Sequence, residues 1–556
     1  MAVLEVPEEH NLAVLHEAVA AVVPDRECLV WRDRRLSWAE VTDRTRRFAA
    51  LLTDNGLGSR EPLASCQPWE SPHDHVALYL HNGNEYLEAL VGAAKARSVG
   101  VNINYRYVAE ELRYVLDDSD ARAVVFHGAF AGTLAEVLPD LPEVRLLVQV
   151  DDGSGAPLLP GAVEYEAALR ATSPQPPVDL SPDDLYILYT GGTTGMPKGV
   201  LWRQADFLAA CLGVAQTRGD LASAAADATL RALPAPPFMH GAAHWNALST
   251  WIAGGTVVIQ TDPTRLDPAD MLTTIERERV SSLLIVGDAF ARPLVDELRT
   301  RSCDLSALRF LLTGGALLSA TVKSELLELV PHLQIVDVLG SSETGRQGVQ
   351  RSSRTRGAST GTFDRSPTSV VLSEDLSGRL EPGSPELGWL AQTGRVPLGY
   401  LGDKDKTART FPVINGIRHA VAGDRARILT DGAIELHGRD SVTINTGGEK
   451  VFAEEVEQAL KGHPAVFDAV VVGRPSERWG QEVVGVIQLR PKLPDPSDDE
   501  LRTAASDRIA RYKLPKAFVR VSQIERSPSG KPDYRWALAQ AATLGPDELV
   551  PQTDRS

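Results

Sequence analysis

Residues 189–199 read Tyr189-Thr190-Gly191-Gly192-Thr193-Thr194-Gly195-Met196-Pro197-Lys198-Gly199, directly after the apolar run Leu185 to Leu188. A short apolar run that opens into glycines and threonines is a strand ending in a loop. Glycines let backbone approach a ligand and take positive φ. Threonine hydroxyls and exposed N–H groups donate to phosphate oxygens, and Lys198 adds a positive charge. The spacing is not the phosphate loop G-x-x-x-x-G-K-[ST], because Met196 and Pro197 separate Gly195 from Lys198 and Gly199 follows. A plain Gly-rich turn is the competing reading, but a turn needs one or two glycines. The residue types here favour phosphate contact.

Outward from this loop, short apolar runs alternate with helical stretches as far as about residue 430, the texture of α/β layers. Strands are expected at Ala123 to Phe126, Leu146 to Val150, Thr256 to Ile259 and Ser282 to Val286, with helices at Trp38 to Leu52 and Glu85 to Ala96. Ser37 and Glu40 have the spacing of a capping box. The stretch Arg346 to Pro367, rich in Ser, Gly, Thr and Arg, reads as a mobile loop. Near Gly438 the texture becomes compact α+β, with a helix at Ala453 to Lys461, strands at Val466 to Val472 and Glu482 to Leu489, and a helix from Asp498 to Arg511. The expected architecture is a large N-terminal α/β region, residues 1–437, and a small mobile α+β C-terminal domain, residues 438–556.

The chain has 556 residues, more than one core normally holds, with 57 Lys and Arg against 74 Asp and Glu, a net charge of −17. That balance argues against nucleic acid as the main partner. Cys28, Cys66, Cys211 and Cys303 are far apart and form no CxxC pair, so neither a structural zinc nor a disulfide framework is expected. Met1 to His10 carries acidic residues and no long apolar run, and no window spans a bilayer, so a cytoplasmic protein is expected. His240 and His244 stand four apart, but a pocket histidine beside a packing histidine is the better reading than a metal pair. His73 and His75 read as polar-loop residues.

The loop at 189–199 resembles the phosphate-loop signature of the adenylate-forming (ANL) superfamily, which holds acyl-CoA synthetases, adenylation domains of peptide synthetases and firefly luciferase. Further blocks resembling that family follow in order along nearly the whole chain. Pro236-Pro237-Phe238-Met239-His240-Gly241 is similar to the segment that walls the acyl pocket. Thr313-Gly314-Gly315-Ala316 resembles the strand-turn against adenine, and Leu339-Gly340-Ser341-Ser342-Glu343 the motif written aromatic-Gly-x-Thr-Glu. Gly388-Trp389-Leu390, Gly394 and Gly399-Tyr400 look like the next block, and Ala422-Gly423-Asp424 the Thr-Gly-Asp element. Ser527-Pro528-Ser529-Gly530-Lys531 resembles the loop that inserts a catalytic lysine. The stretches 438–457 and 531–536 look like a subgroup that includes bacterial acyl-CoA synthetases for steroid side chains, long-chain acids and terpenoid acids.

The resemblance implies an ANL fold and the reaction of a carboxylic acid with ATP to acyl-adenylate, then with coenzyme A. It implies that Thr190, Gly191, Gly192, Thr193, Thr194, Lys198 and Ser342 meet the phosphates, and that Glu343 binds Mg2+. It implies that Gly314, Gly315, Ala316, Leu339, Gly340 and Ser341 frame the adenine and that Asp337 accepts from its amino group. Asp424 and Arg439 would hold the ribose, and Lys531 would stabilise charge during adenylation. Gly447, Gly448, Glu449 and Lys450 would line a coenzyme A tunnel, with Asp440 and Ser441 at the interdomain hinge. The acyl wall would comprise His240, Ala243, Trp245, Val286, Gly287, Gly314 and Gly340, whose small residues leave volume for a bulky apolar acid. Met239 stands where amino-acid-activating relatives carry Asp, which excludes an amino-acid substrate. Three positions depart from the pattern: Leu339 for an aromatic, Ser342 for Thr, and Ser441 for a charged hinge residue. A homodimer is common among such enzymes. The alternative is adenylation alone, with a partner ligase or carrier protein completing the transfer.

Overall fold

The computed structural model describes residues 8–177, 179–190, 196–446, 449–476, 480–491, 493–506, 508–527 and 530–544. The phosphate-loop residues Gly191, Gly192, Thr193 and Thr194 and the tunnel candidates Gly447 and Gly448 therefore lie outside the described residues, as do the side chains of Ser441, Glu449 and Lys450.

Four sheets form among the described residues. One is parallel throughout, in the order Val99–Asn102, His75–Tyr79, Ala121–His127, Leu146–Val150, Ala162–Glu164. Parallel sheets are covered on both faces, so their strands read as continuous apolar runs; every residue of Ala121–His127 is buried. A long mixed sheet has a parallel core of Thr256–Ile259, Arg231–Pro234, Ser282–Ile285, Phe310–Gly314 and Gln334–Ser341. It continues antiparallel through Gly345–Ser352, Thr362–Arg365, Ile434–Arg439, Ile417–Ile428, Gly388–Thr393 and Ser369–Leu372. A three-stranded sheet pairs Leu185–Thr190, Lys198–Arg203 and Gly399–Tyr400. The fourth, C-terminal sheet holds Thr443–Thr446, Glu449–Phe452, Val466–Ser476, Gly480–Leu489 and Ala517–Val521. It packs with the helices Ala453–Lys461, Asp498–Ser506 and Tyr534–Ala541.

The local signals for the first helices hold. Trp38–Asp54 starts on a complete capping box, with Ser37 N–H donating to Glu40 Oε2 at 2.7 Å and Glu40 N–H to Ser37 Oγ at 3.2 Å. The buried face of this helix meets Trp251, whose ring lies 6.2 Å from Trp38. Each such fully buried aromatic contributes about 2–3 kcal/mol of transfer free energy.

Three expectations fail. Half of the stretch 346–367 is sheet, because Gly345–Ser352 and Thr362–Arg365 are antiparallel strands. Gln347, Gln350 and Ser352 are buried there, and the two glutamines are held by polar pairing rather than by apolar character. Thr344 Oγ1 donates to Gln347 Oε1 at 3.1 Å and Gln350 Nε2 to Ser359 Oγ at 2.8 Å. Alternation was present but not in hydrophobicity. His73 and His75 are buried, not in a polar loop: His73 Nδ1 meets Arg97 O at 2.8 Å, and Leu185 N–H donates to its Nε2 at 3.2 Å. The helix expected to reach Arg511 ends at Ser506.

Asn102 ties the strand Leu185–Thr190 to the chain that leads into the helix Gly241–Ile252. Its Nδ2 donates to Tyr189 O at 2.8 Å and to Met239 O at 2.7 Å, and its Oδ1 accepts from Tyr189 N–H at 2.8 Å. Replacing it with leucine strands three buried backbone groups at about 1–3 kcal/mol each. Asn102→Leu is expected to lower the urea midpoint of the N-terminal region by an amount worth about 3 kcal/mol or more; an unchanged midpoint in a urea titration would refute this account.

Candidate active site

The parallel strands Phe310–Gly314 and Gln334–Ser341 end side by side, and the chain beyond each forms one wall of a cavity of about 470 Å³. Ligand sites in open α/β sheets lie at such strand ends. Gly314, Gly315, Ala316, Asp337, Leu339, Gly340, Ser341, Ser342, Glu343, Thr190, Asp424 and Arg439 line it from the large region. Glu454, Glu457, Lys461 and Lys531 line it from the C-terminal unit. The structure thus brings together most of the residues singled out for nucleotide contact.

Glu343 is fixed from outside the cavity. Tyr400 Oη donates to its Oε1 at 2.9 Å, and burial together with this carboxylate pushes the phenol well above its usual range. The backbone beside it is held by Trp202, whose buried indole N–H donates to Ser342 O at 2.9 Å. Asp424 and Arg439 are register partners on neighbouring strands, and Arg439 Nε donates to Asp424 Oδ1 at 3.2 Å. The aspartate raises the guanidinium's pKa further, so Arg439 stays charged.

Lys531 reaches in from the C-terminal unit, its Cε passing 3.6 Å from where a side chain on Gly315 would begin. Gly315 has φ +80°, so the turn requires a glycine there, while the lysine passes at ordinary contact distance. Burial lowers the lysine's pKa, Arg439 lowers it further, and Glu343 and Asp424 work in the opposite direction. His240 faces the same charge. Burial and then Lys531 drive its imidazole down to about 3, so it is neutral, and its Nε2 has no hydrogen-bond partner among the described residues. His244 is internal, with Nδ1 2.6 Å from Phe238 O and Nε2 against Tyr186 Oη. The two histidines do not form a metal pair.

Two placements differ from expectation. Lys198 does not line the cavity: it sits on strand Lys198–Arg203 and its Nζ donates to Asp118 Oδ1 at 2.9 Å beside the Tyr114 ring. A carboxylate and a phenol at the far side of the strand hold the ammonium there. Of the acyl-wall candidates, Gly314 and Gly340 line the cavity, whereas His240, Ala243, Trp245, Val286 and Gly287 do not. Trp245 packs instead on the strand Leu185–Thr190 and the helix Gln204–Ala210: its Nε1 donates to Tyr186 Oη at 2.7 Å and its ring stands edge-on to Phe207 at 5.8 Å.

Several contributors escaped the sequence reading. Lys323, fully buried, places Nζ 2.7 Å from Asp337 Oδ2 and donates to Ser359 O at 2.5 Å and Thr360 Oγ1 at 3.1 Å. Lys461 reaches across to Asp288 at 3.8 Å, and Arg490 to Asp296 at 3.6 Å. Lys323 and Lys461 sit on helices and Arg490 just past the strand Gly480–Leu489, places where a charge ordinarily reads as a solvated face, so no local signal marked them. Glu454 fills the notch at Gly438, whose φ is +126°.

A large α/β body and a small α+β unit that share one charged cavity define a two-part enzyme. The chain belongs to the AMP-binding enzyme family: the family's main model matches residues 16–390 and that of its C-terminal domain residues 455–531. It is 51% identical over 535 residues to "Medium-chain acyl-CoA ligase Mig" of Mycobacterium avium, covering 94% of this chain and 97% of that protein. It is 39% identical over 561 residues to "3-oxocholest-4-en-26-oate--CoA ligase" of Rhodococcus rhodochrous, covering 98% of each. Among solved structures, the anthranilate CoA ligase AuaEII in complex with anthranoyl-AMP shares the fold at a TM-score of 0.81, with 22% identity, 98% of this chain and 100% of that one covered.

Burial, then the neighbouring Glu457, pushes the Glu454 carboxyl from 4.5 up to about 8. Its neutral form is favoured in the folded protein. The stability it contributes is complete below pH about 4.5 and lost as pH rises to about 8. Glu454→Gln is therefore expected to flatten the fall in thermal midpoint between pH 5 and 8. Parallel curves for the variant and the parent would sink this reading.

Proposed function

We propose that this protein is an AMP-forming acyl-CoA ligase for a bulky hydrophobic carboxylic acid of medium- or long-chain or steroid type. The observation that carries the reading is the Lys531 amine in one cavity with Glu343, Asp424 and Arg439. The near full-length likeness to named acyl-CoA ligases supports it and does not favour transfer by a separate ligase or carrier.

Asp424 and Arg439 hold the ribose, a carboxylate accepting from two hydroxyls. Asp337 and the Gly314–Ala316 turn receive the adenine. The substrate carboxylate oxygen bonds to the α-phosphorus, the bond to pyrophosphate breaks, and the Lys531 ammonium stabilises the charge that develops. The thiol of coenzyme A then attacks the acyl carbon, its proton is released, and AMP leaves. Glu343 suits Mg2+: it is a hard carboxylate at the cavity wall, and Mg2+ is commonly held by one or two carboxylates plus substrate phosphates. When bound there, Mg2+ neutralises phosphate charge. Gly438 and Arg439 end a strand of the large region, so the lid begins at Asp440: the residues from there on turn about Asp440 and Ser441, and Gly447 to Lys450 serve the coenzyme A path. No helix among the described residues is long and apolar enough to cross a membrane, and the Cys residues are unpaired; both are compatible with the cytoplasm.

The test is mass spectrometry with ATP, Mg2+ and dodecanoic, hexadecanoic and 3-oxocholest-4-en-26-oic acids, with and without coenzyme A. Acyl-CoA is expected with at least one acid. Acyl-adenylate that persists under excess coenzyme A would overturn the ligase reading. Lys531→Ala should lose adenylate formation by about 100-fold or more while thioester formation from supplied acyl-adenylate survives. Because the amine must be charged and its pKa is lowered, adenylation should fade as pH rises, below the usual lysine value of about 10.4.

A further inference from the structure

Lys531 arrives on a tight hairpin. Arg526 and Pro532 bridge antiparallel, Gly530 N–H donates to Ser527 O at 2.8 Å, and Ser527 N–H donates to Lys531 O at 2.8 Å. These bonds shape the hairpin but do not anchor it to the sheet. Gly530 has φ +76°, and a Cβ there would come within 3.3 Å of Val286 and Phe290 in the large region. Gly530 is therefore closely packed between two units.

The anchor is Arg526, a residue with no role assigned above. Its Nε and Nη2 fork onto Asp468 at 2.7 Å each, while Nη1 donates to Gly530 O at 2.9 Å. Asp468 stands on the strand Val466–Ser476 and its Oδ1 also accepts the Ala469 N–H at 2.8 Å. One planar guanidinium thus connects the sheet of the C-terminal unit to the peptide immediately before Lys531. The guanidinium is largely buried, where charge-assisted and bidentate bonds are strongest.

We propose that Arg526 is a positioning residue for adenylate formation: through Asp468 and the Gly530 carbonyl it sets where the Lys531 ammonium meets the reacting phosphate. The inference rests on the role given to Lys531. Lysine cannot substitute, since a single ammonium does not fork onto Asp468 and reach Gly530 O in fixed directions. An error of about 1 Å in placing a catalytic group can cost about 100-fold in rate. The cost falls on adenylation alone, because Lys531 takes no part in thioester formation.

The experiment compares the full-length protein with R526M, R526K, D468N and K531A in two assays, dodecanoyl-adenylate formation from dodecanoic acid and ATP, and dodecanoyl-CoA formation from supplied dodecanoyl-adenylate. R526M should lose about 100-fold in the first and R526K about tenfold, both keeping the second within about threefold of the parent. The second assay reports that the C-terminal unit is folded. If R526M does not fold, R526K and D468N carry the test, and D468N should show the same one-sided loss. Equal loss in both assays in the folded variants, or R526K adenylating at the parental rate, overturns the proposal. If K531A adenylates normally, the role of Lys531 fails first and the proposal with it, an outcome distinct from R526 variants that adenylate normally beside an inactive K531A.

Discussion

Bringing an ammonium into a cavity that already holds a guanidinium is the constraint around which this structure is arranged. Lys531 and Arg439 are like charges that line one cavity, both still partly open to solvent, and at an effective dielectric of about 20, two such charges 4 Å apart would repel by about 4 kcal/mol. Asp424 and Glu343 offset this, and each must be held for the offset to act. Asp424 is held by the strand pairing that sets it opposite Arg439. Glu343 is held by Tyr400, and its chain neighbour Ser342 by Trp202. The sheets therefore serve the site by fixing two carboxylates.

The contacts between the two units follow the same logic. Arg490 with Asp296 is a partly exposed pair, a class that contributes about 0.2–1 kcal/mol. Lys461 with Asp288 is buried but long at 3.8 Å, while Asp288 is also satisfied by Ser319 N–H at 2.8 Å and Arg292 at 3.3 Å. Asp288 keeps partners when Lys461 withdraws, so neither pair commits the C-terminal unit to one seat. A weakly latched unit carrying a charge that faces a like charge is suited to leave once that charge has been used.

Legibility in the sequence tracked the physics of each signal. Ser37 with Glu40, the strand Leu146–Val150 and the helix Ala453–Lys461 are local, apolar or capping signals, and each stands as expected. The cavity walls were legible through short motifs in order, because glycine at Gly315 and paired charge at Asp424 and Arg439 are compositional demands. What stayed hidden was long-range. The strand Gly345–Ser352 buries glutamines held by hydrogen bonds, which hydrophobic periodicity does not register. Lys198 was read by charge alone, and its partner Asp118 lies 80 positions away. Lys323 and Arg526 look like surface cations until the fold supplies their partners.

Lys323 also bears on the departure at Leu339. An aliphatic side chain there packs in a cluster with Phe363 and Leu390, and it offers a base a flat apolar wall without π contact. Loss of stacking leaves more of base selection to polar contacts. Asp337 is the polar group at that wall, and an isolated buried carboxylate would tend to take up a proton and cease to be a pure acceptor. The Lys323 ammonium, itself held by Ser359, Thr360 and Gln350, supplies the compensating charge at 2.7 Å. Under the proposed function, the weaker wall and the buried pair belong together: a fixed acceptor aimed at an exocyclic amino group admits adenine and repels a base that presents a carbonyl there.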